Sequence, residues 1–266
     1  MCNSAKQSTS ISDEFIQPYF ETVLSHSAGE LKEKISRSET FLDALASFTR
    51  DPRVLRDQLI AVLLAGRDTT AATLFFCIFE LSRNPKVVAK LRDEIHNRLG
   101  VGAKAQKPSY TDLKEMKYLN AMLHETMRLY PVVPFKVRYS LRDTTLPRGG
   151  GVDGLAPVGV RANSRIFYST MLMQRDPDLP WHFIPFKGGP RICIVQQFAI
   201  IEMRYTVLRI LQVYERISAL PVGGKGKVED PVLHFEVTLS PGSELNCVFL
   251  KEGEEAAHSA ATTGVA

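Results

Sequence analysis

The sequence has few cysteines, and their spacing excludes several classes of metal and redox protein. Its four cysteines, Cys2, Cys77, Cys193 and Cys247, are far apart along the 266 residues. No CxxC pair is present, so the ligand spacing of zinc fingers and iron–sulfur clusters is absent. Isolated cysteines of this kind fit a reducing compartment, which favours a cytosolic setting.

The chain also lacks a long run of one charge and an uninterrupted apolar segment of membrane length. Its net charge of +4 comes without a lysine- or arginine-rich run, so nothing indicates nucleic-acid binding. The first residues are polar and lack the apolar core of a signal peptide. The longest apolar segment contains Arg67 and Asp68, and each would cost about 2.5–3.5 kcal/mol at a bilayer centre. We therefore predict a buried helix there, and a cytoplasmic chain as written.

Helical periodicity predominates and predicts a mainly α protein with small β-sheets. The longest pattern runs from Pro52 to Ser82, behind Asp51, which suits an N-cap. At 1.5 Å per residue this helix would span about 45 Å. Because its apolar residues lie nearly all round, we predict that it is central. Lys117–Tyr130 and Gln196–Tyr214 are further helical patterns.

Short alternating patterns predict the strands. Residues 134–140 alternate, with Arg138 on the face opposite Phe135. Residues 228–239 and 245–251 predict two strands joined by a hairpin.

Composition sets the predicted domain boundaries. Residues 1–11 are rich in serine and threonine, and residues 252–266 are mostly small. Both segments are predicted to be disordered. One domain is therefore predicted over residues 12–251.

One stretch interrupts the longest helical pattern with residues that suit a helix interior poorly. Gly66 costs about 1 kcal/mol relative to alanine, and Thr69 and Thr70 offer competing hydrogen bonds to the backbone. A buried helix that carries such residues is a candidate for a local bulge with a function. A kink without a ligand explains the same residues, so both interpretations stay open.

The most informative stretch is a glycine-containing loop with a cysteine near its end. Residues 186–195 read FKGGPRICIV, and a long helical pattern follows at once. Glycines let a backbone lie flat against a planar ligand. A cysteine beside a helix N-terminus is favoured as a thiolate, which is a soft ligand for iron. Cys193 is therefore a candidate axial ligand of haem. The alternative is that Cys193 is an inert buried cysteine, which is the commoner case for an isolated cysteine.

Glu125 and Arg128 are three residues apart on a predicted helix and share a face. They form either a solvated pair worth a few tenths of a kcal/mol or a buried pair that holds the helix against a loop. His124 beside Glu125 also suggests a metal hydrolase. No second histidine stands at helical spacing, which disfavours that hypothesis.

Four motifs follow one another in a fixed order: AGRDTT in the long helix, Glu125-Thr126-Met127-Arg128, an arginine on the next strand, and the cysteine loop. In this order they resemble the C-terminal half of the cytochrome P-450 superfamily of haem-thiolate monooxygenases. The segments LLAGRDTTAATLF, LRDTTLPRGGG and PFKGGPRIC are most similar to its fungal alkane- and fatty-acid-hydroxylating subgroup. The resemblance implies a partial cytochrome P-450 fold.

The resemblance also implies the contacts of the cofactor, haem b. Cys193 would be the axial thiolate, and Phe186 would shield its sulfur. Gly189 would let the loop approach the porphyrin. Arg138 and Arg191 match positions that pair with the haem propionates, for which the fork of arginine is suited.

Catalytic roles follow from the same resemblance. Asp68 and Thr69 match an acid–alcohol pair that delivers protons to bound oxygen, and Glu125 with Arg128 match a structural pair behind the cysteine loop. The reaction implied is insertion of one oxygen atom from dioxygen into a C–H bond of a small hydrophobic substrate. Electrons would come from an NADPH-dependent reductase docking on the cysteine-loop side. The substrate-facing candidates are Leu64, Ala65, Val132, Val133, Phe135 and the turn Ser240–Glu244.

Three differences from the family stand beside this resemblance. A typical member is roughly twice as long, and such full-length relatives are anchored in the endoplasmic reticulum membrane. The segment that usually precedes the cysteine loop is missing between Asp178 and Trp181. Val195 occupies a position that usually holds glycine or alanine, where its branched side chain would crowd the porphyrin. A non-catalytic fragment that does not retain haem, or an interaction protein, therefore stays open as the alternative.

Overall fold

Helices make up more than half of the described residues, and short paired strands form the rest of the regular structure. The computed structural model describes residues 2–37, 40–177, 183–221 and 228–254. These form two units, residues 1–68 and residues 69–266, where the sequence predicted one domain over residues 12–251. The helices are α1 (Cys2–Ser25), α2 (Ala28–Arg37), α3 (Phe41–Phe48), α4 (Pro52–Arg83), α5 (Pro85–Leu99), α6 (Tyr110–Glu115), α7 (Lys117–Leu129), α8 (Thr170–Met173) and α9 (Gln196–Val213). The strands are β1 (Phe135–Tyr139), β2 (Thr144–Gly150), β3 (Ala156–Val160), β4 (Arg165–Ser169), β5 (Arg216–Leu220), β6 (Leu233–Phe235), β7 (Leu239–Pro241) and β8 (Asn246–Leu250).

The first unit packs α1, α2 and α3 with the start of α4. Ile16, Phe20 and Val23 lie three and four residues apart on α1, so they share one face, and all are buried. They pack against Leu31 of α2 and Leu55 of α4, among others.

Helix α1 corrects one prediction. Its backbone is helical from Cys2, although the composition of residues 1–11 predicted disorder. Serine and threonine are only moderately unfavourable inside a helix, and the packed face that begins at Ile16 supplies the stable turns from which the helix extends.

Helix α4 has nearly the predicted bounds, and Asp51 caps it by accepting a 2.8 Å hydrogen bond from the Arg53 N–H. The predicted bulge is wrong, because the helix continues as a regular α-helix through Gly66 and Thr69. Thr73 shows how threonine fits there: its hydroxyl donates a 2.8 Å hydrogen bond to the Thr69 carbonyl, one turn earlier in the same helix.

The predicted central position of α4 holds only for its second half. Phe76 and Cys77 are fully buried, whereas Leu63 and Leu64 are 46% and 55% exposed. Among the described residues, α4 is the one helix long and apolar enough to cross a bilayer by length and composition, and 22% of its most apolar window is buried. Composition shows how apolar a helix is but not what packs against it. The difference in burial between the two halves of α4 could therefore not be predicted from the sequence.

The core of the second unit joins the end of α4 with α5, α7 and α9. Cys77, Leu91, Leu119 and Leu208 are each fully buried in this one cluster. Arg92 of α5 supports it from the edge, because its guanidinium donates to the carbonyls of Leu211 and Tyr214 at 2.6 and 2.8 Å. A cation at the last carbonyls of α9 satisfies groups that the helix itself leaves unpaired.

The strands pair two by two and antiparallel: β1 with β4, β2 with β3, β5 with β8, and β6 with β7. Strand β1 was predicted correctly. The predicted hairpin between residues 228–239 and 245–251 is wrong. Strand β8 pairs with β5, the strand that follows α9, and β6 pairs with β7. Pairing between distant strands depends on the packing of α9 and has no local signal. Of the predicted disordered tail, residues 255–266 lie outside the described residues.

Candidate functional site

The cysteine loop is folded by its own backbone hydrogen bonds. Lys187 and Gly189 have φ angles of 65° and 67°, in the left-handed region that glycine tolerates best. The N–H of Cys193 donates to the carbonyl of Phe186 at 2.9 Å, and the N–H of Ile192 donates to the carbonyl of Gly189 at 3.1 Å. The loop therefore folds back and brings the backbone of Cys193 against that of Phe186.

Cys193 lies just before the first turn of α9. Its carbonyl accepts a 3.3 Å hydrogen bond from the N–H of Gln196, the first residue of that helix. The N-cap residue Val195 offers no side-chain cap, so the free N–H groups at this end of α9 are not satisfied by a capping side chain. The Cys193 side chain is half-buried.

The other described cysteines are in surroundings that oppose a thiolate. Complete burial raises the pKa of the Cys77 thiol to about 12. Burial also raises the pKa of the Cys247 thiol in β8. Desolvation disfavours the charged form of both groups, so neither Cys77 nor Cys247 is in surroundings that suit a metal ligand.

Gln174, which the sequence analysis did not single out, ties the chain ahead of the cysteine loop to α7. It is only 5% exposed. Its side-chain amide donates to the carbonyl of Met127 at 3.0 Å and accepts from the N–H of Ile184 at 3.2 Å. A glutamine in a short helical segment carries no local signal of such a role.

A small cavity brings two predicted site residues together. Thr69 of α4 and Phe186 of the cysteine loop both line it, with a volume of about 40 Å³. Ala199 of α9 and Val132, a predicted substrate-facing residue, line it as well. The cavity thus joins the threonines of α4, the cysteine loop and the start of α9.

Asp68 belongs to the other unit and is paired within it. Its carboxylate accepts a 2.8 Å hydrogen bond from Nε of Arg67, and the Asp68 side chain is 53% exposed. The acid of the predicted acid–alcohol pair is therefore a solvent-contacting group in this structure.

The predicted propionate partners lie on exposed segments. Arg138 is on β1 and donates a 3.0 Å hydrogen bond to the carbonyl of Val137. Arg191 ends the short helical turn Gly189–Arg191 of the cysteine loop and is exposed. Two residues before Arg138, Lys136 is a cation that the sequence analysis missed, and it is only 5% exposed. Its spacing of two from Arg138 on a strand, which puts both on one face, is the signal that could have found it.

Glu125 and Arg128 form the predicted pair on α7. Arg128 donates from Nε and Nη2 to the two carboxylate oxygens, each at 2.7 Å. Their side chains are 54% and 36% exposed, as expected of the solvated alternative. The hydrogen bonds from Arg128 lower the pKa of the Glu125 carboxyl.

His124 lies beside a buried arginine rather than a metal site. Partial burial and the nearby charge of Arg204 lower the pKa of His124. Within the described ranges, no group of three or more histidine, cysteine, aspartate or glutamate side chains is placed to hold a metal ion.

Comparison with known proteins identifies the family. Residues 3–179 match the sequence model described as Cytochrome P450. The chain belongs to the cytochrome P450 family. Over 90% of its length this cytochrome P450 chain is 43% identical to cytochrome P450 monooxygenase pvhE of Talaromyces variabilis. Over 81% of its length it is 41% identical to cytochrome P450 52A1 of Candida tropicalis.

The cytochrome P450 chain spans about half the length of these relatives, 48% and 44% respectively. Its fold agrees with the crystal structure of a cytochrome P450, CYP102L1, at a TM-score of 0.62 and 23% identity. That similarity covers 74% of this chain and 46% of the solved chain. The architecture is therefore a partial cytochrome P450 fold.

Cytochrome P450 proteins bind haem, and the donors present here fit that group. Cys193 offers a half-buried sulfur beside a helix N-terminus. Arg138 and Arg191 offer exposed guanidinium groups, which suit a carboxylate-bearing ligand. The cavity of about 40 Å³ is well below the roughly 300–1,000 Å³ of typical ligand pockets. The cavity alone is therefore too small to enclose a porphyrin.

Proposed function

We propose that this chain carries the haem-thiolate centre of a monooxygenase that inserts one oxygen atom into a C–H bond of a hydrophobic substrate such as an alkane or a fatty acid. The observation that carries the proposal is the cavity shared by Thr69, Phe186 and Ala199, which joins α4 to the segment around Cys193. Haem b, bound by the Cys193 thiolate, would supply the activation of dioxygen.

The chain's own residues have defined tasks in this proposal. Cys193 would bind the iron from its place just before α9, and Phe186, at the start of the loop, would shield the sulfur from water. Thr69 lines the cavity. Asp68, next to it in sequence, contacts solvent and can exchange a proton with water. Arg138 and Arg191 would hold the propionates.

The proposed substrate class rests on apolar residues. Val132 lines the cavity, and Phe135 lies in an exposed aromatic group with Phe167 and Phe235, at centroid distances of 5.9 and 5.8 Å. These side chains suit a hydrocarbon chain rather than a polar metabolite. The 43% identity to cytochrome P450 monooxygenase pvhE supports the reaction type. Electrons would come from NADPH through a reductase that docks on the side of the cysteine loop.

A chain that does not retain haem is the second candidate. The cavity of about 40 Å³ and the valine at position 195 both favour it. In that case the chain is a poorly stable helical remnant that does not hold haem, or an interaction protein that uses the remaining helices.

Carbon monoxide binding separates the two candidates. The chain is mixed with haem, reduced and exposed to carbon monoxide, and thiolate ligation is expected to give a strongly red-shifted Soret band. Cys193→Ser is expected to abolish this band, whereas Cys247→Ser, a matched change at another half-buried cysteine, should leave it unchanged. A folded wild-type chain without the band would refute the monooxygenase proposal and support the second candidate.

A further inference from the structure

In the described part of the chain, two buried side-chain atoms lack a hydrogen-bond partner, and they lie on two helices that pack against each other. One is Nε of Arg204 on α9, and the other is Oδ1 of Asn120 on α7. Arg204 is only 9% exposed. Buried polar atoms of native proteins nearly always have a partner, so two orphaned atoms in one region indicate that a further group completes the site.

Contacts with α6 show that both residues belong to the junction of α6, α7 and α9. Nδ2 of Asn120 donates a 3.2 Å hydrogen bond to the carbonyl of Lys114 on α6. Helix α9 packs against both α6 and α7. The charge of Arg204 interacts with Tyr110 of α6 and with His124, which lies one turn after Asn120 on the same face of α7. The orphaned donor and the orphaned acceptor are therefore found where these helices meet.

The two orphaned atoms require partners of opposite kind. The carbonyl of Lys114 can only accept, so the amide of Asn120 must face it with its NH₂ group. Reversing the amide would set two oxygens against each other and cannot satisfy Oδ1. The missing partner of Asn120 is therefore a hydrogen-bond donor. The missing partner of Arg204 is an acceptor, because a guanidinium only donates.

No described acid neutralises the charge of Arg204. The carboxylates of α6, Asp112 and Glu115, are both paired with Arg98 of α5, at 2.8 and 2.5 Å. Burial is the main cause that lowers the pKa of Arg204. A buried guanidinium without a counter-ion is unfavourable, which favours an anion as the group that completes the site.

We infer that the junction of α6, α7 and α9 is a binding site for a phosphate group, which accepts a hydrogen bond from Arg204 and donates one from its P–OH to Asn120. Phosphate oxygens suit a guanidinium donor. A phosphate group keeps a proton below its second pKa, which is about 6 for a monoester, so it offers a donor as well as acceptors. Sulfate offers acceptors only. Tyr110 and His124, the neighbours of Arg204, are exposed, so the junction is open to solvent. This site is independent of the proposed haem chemistry.

Calorimetric titration of the full chain without haem tests the inference. At about pH 6, inorganic phosphate and glycerol 3-phosphate should bind more tightly than sulfate. Arg204→Met should weaken phosphate binding about tenfold or more, because it removes the charged donor. Asn120→Leu should weaken phosphate binding about threefold to tenfold and leave sulfate binding unchanged, because sulfate has no proton to donate.

Matched variants control for net charge and for loss of an amide. They are Arg148→Met, at an exposed arginine of β2, and Asn97→Leu, at an exposed asparagine of α5, and both should bind phosphate as the wild type does. Tighter binding of glycerol 3-phosphate than of inorganic phosphate would support the phosphoryl group of a larger molecule as the ligand. The reverse order would support the free ion.

The stability of the unliganded chain provides a second measurement. Arg204→Met should raise the melting temperature, because it removes a buried charge that has no counter-ion. If this variant does not fold, the loss of preference for phosphate over sulfate in Asn120→Leu decides alone. A wild-type chain that binds neither anion would show that an ordered water completes the two atoms, and would overturn the inference. Equal wild-type affinity for phosphate and sulfate, or an equal loss of binding in the control variants, would overturn it too.

Discussion

The guanidinium of Arg128 donates two hydrogen bonds of 2.7 Å to the carboxylate of Glu125, three residues earlier on α7. Both side chains are more than one third exposed, so the pair is screened by solvent. Such pairs stabilise a fold by about 0.2–1 kcal/mol, even where the geometry is bidentate.

We therefore expect Arg128→Met to lower the free energy of unfolding by no more than about 1 kcal/mol. Arg128 lowers the pKa of Glu125 in the folded chain. The pair therefore stabilises the fold at pH values above the pKa that Glu125 has in the unfolded chain. This stabilisation is lost as the pH falls through the lower pKa of the folded chain. Urea unfolding at neutral and at acidic pH measures both effects, and the difference between variant and wild type should shrink in acid. Arg148→Met, at an exposed arginine of β2, is the control. A loss above about 3 kcal/mol would instead show a buried network.

Val195→Gly should increase haem retention. Val195 is the N-cap residue of α9 and makes no side-chain cap, and glycine is better accepted than valine at an N-cap, so helix α9 should not be weakened. The change removes the branched side chain from the position where the family resemblance brings the helix close to the porphyrin. Retention is measured as the ratio of Soret to protein absorbance after gel filtration. Ile194→Ala, at a neighbour that is 79% exposed, is the control, and unchanged retention in Val195→Gly would contradict the steric argument.

Gln174→Ala should destabilise the chain by about 1–3 kcal/mol, because it leaves the Met127 carbonyl and the Ile184 N–H without their partner in a buried place. Gln197→Ala, at an exposed glutamine of α9, should change stability little. Urea unfolding gives the free energies, and hydrogen exchange of the Ile184 amide should become faster in the Gln174 variant only. Equal exchange in both variants would show that Gln174 does not hold the segment before the cysteine loop.

Several elements were readable from the sequence because their signals are local. The bounds of α4 follow from Asp51-Pro52 at one end and Asn84-Pro85 at the other, and α9 follows from its long apolar pattern. The pairing partner of β8 could not be predicted from the sequence. The predicted hairpin joins neighbouring segments, whereas the observed partner, β5, is separated from β8 by the whole segment between them. The uninterrupted α-helix through Gly66 was also missed, because propensity costs of about 1 kcal/mol are small beside the packing of a long helix.

The amino-acid sequence alone determined the order of the motifs and the identity of the candidate ligand, because residue type and spacing carry that information. It identified Cys193, Thr69 and Arg138 as site residues, which stay predictions until the spectrum is measured. Only the tertiary structure decided which groups meet. It placed Thr69 beside Phe186 in one cavity and left Glu125 and Arg128 in contact with solvent. Burial and proximity depend on chain segments that are distant in sequence, and for a charged group they decide whether it is merely solvated or requires a ligand.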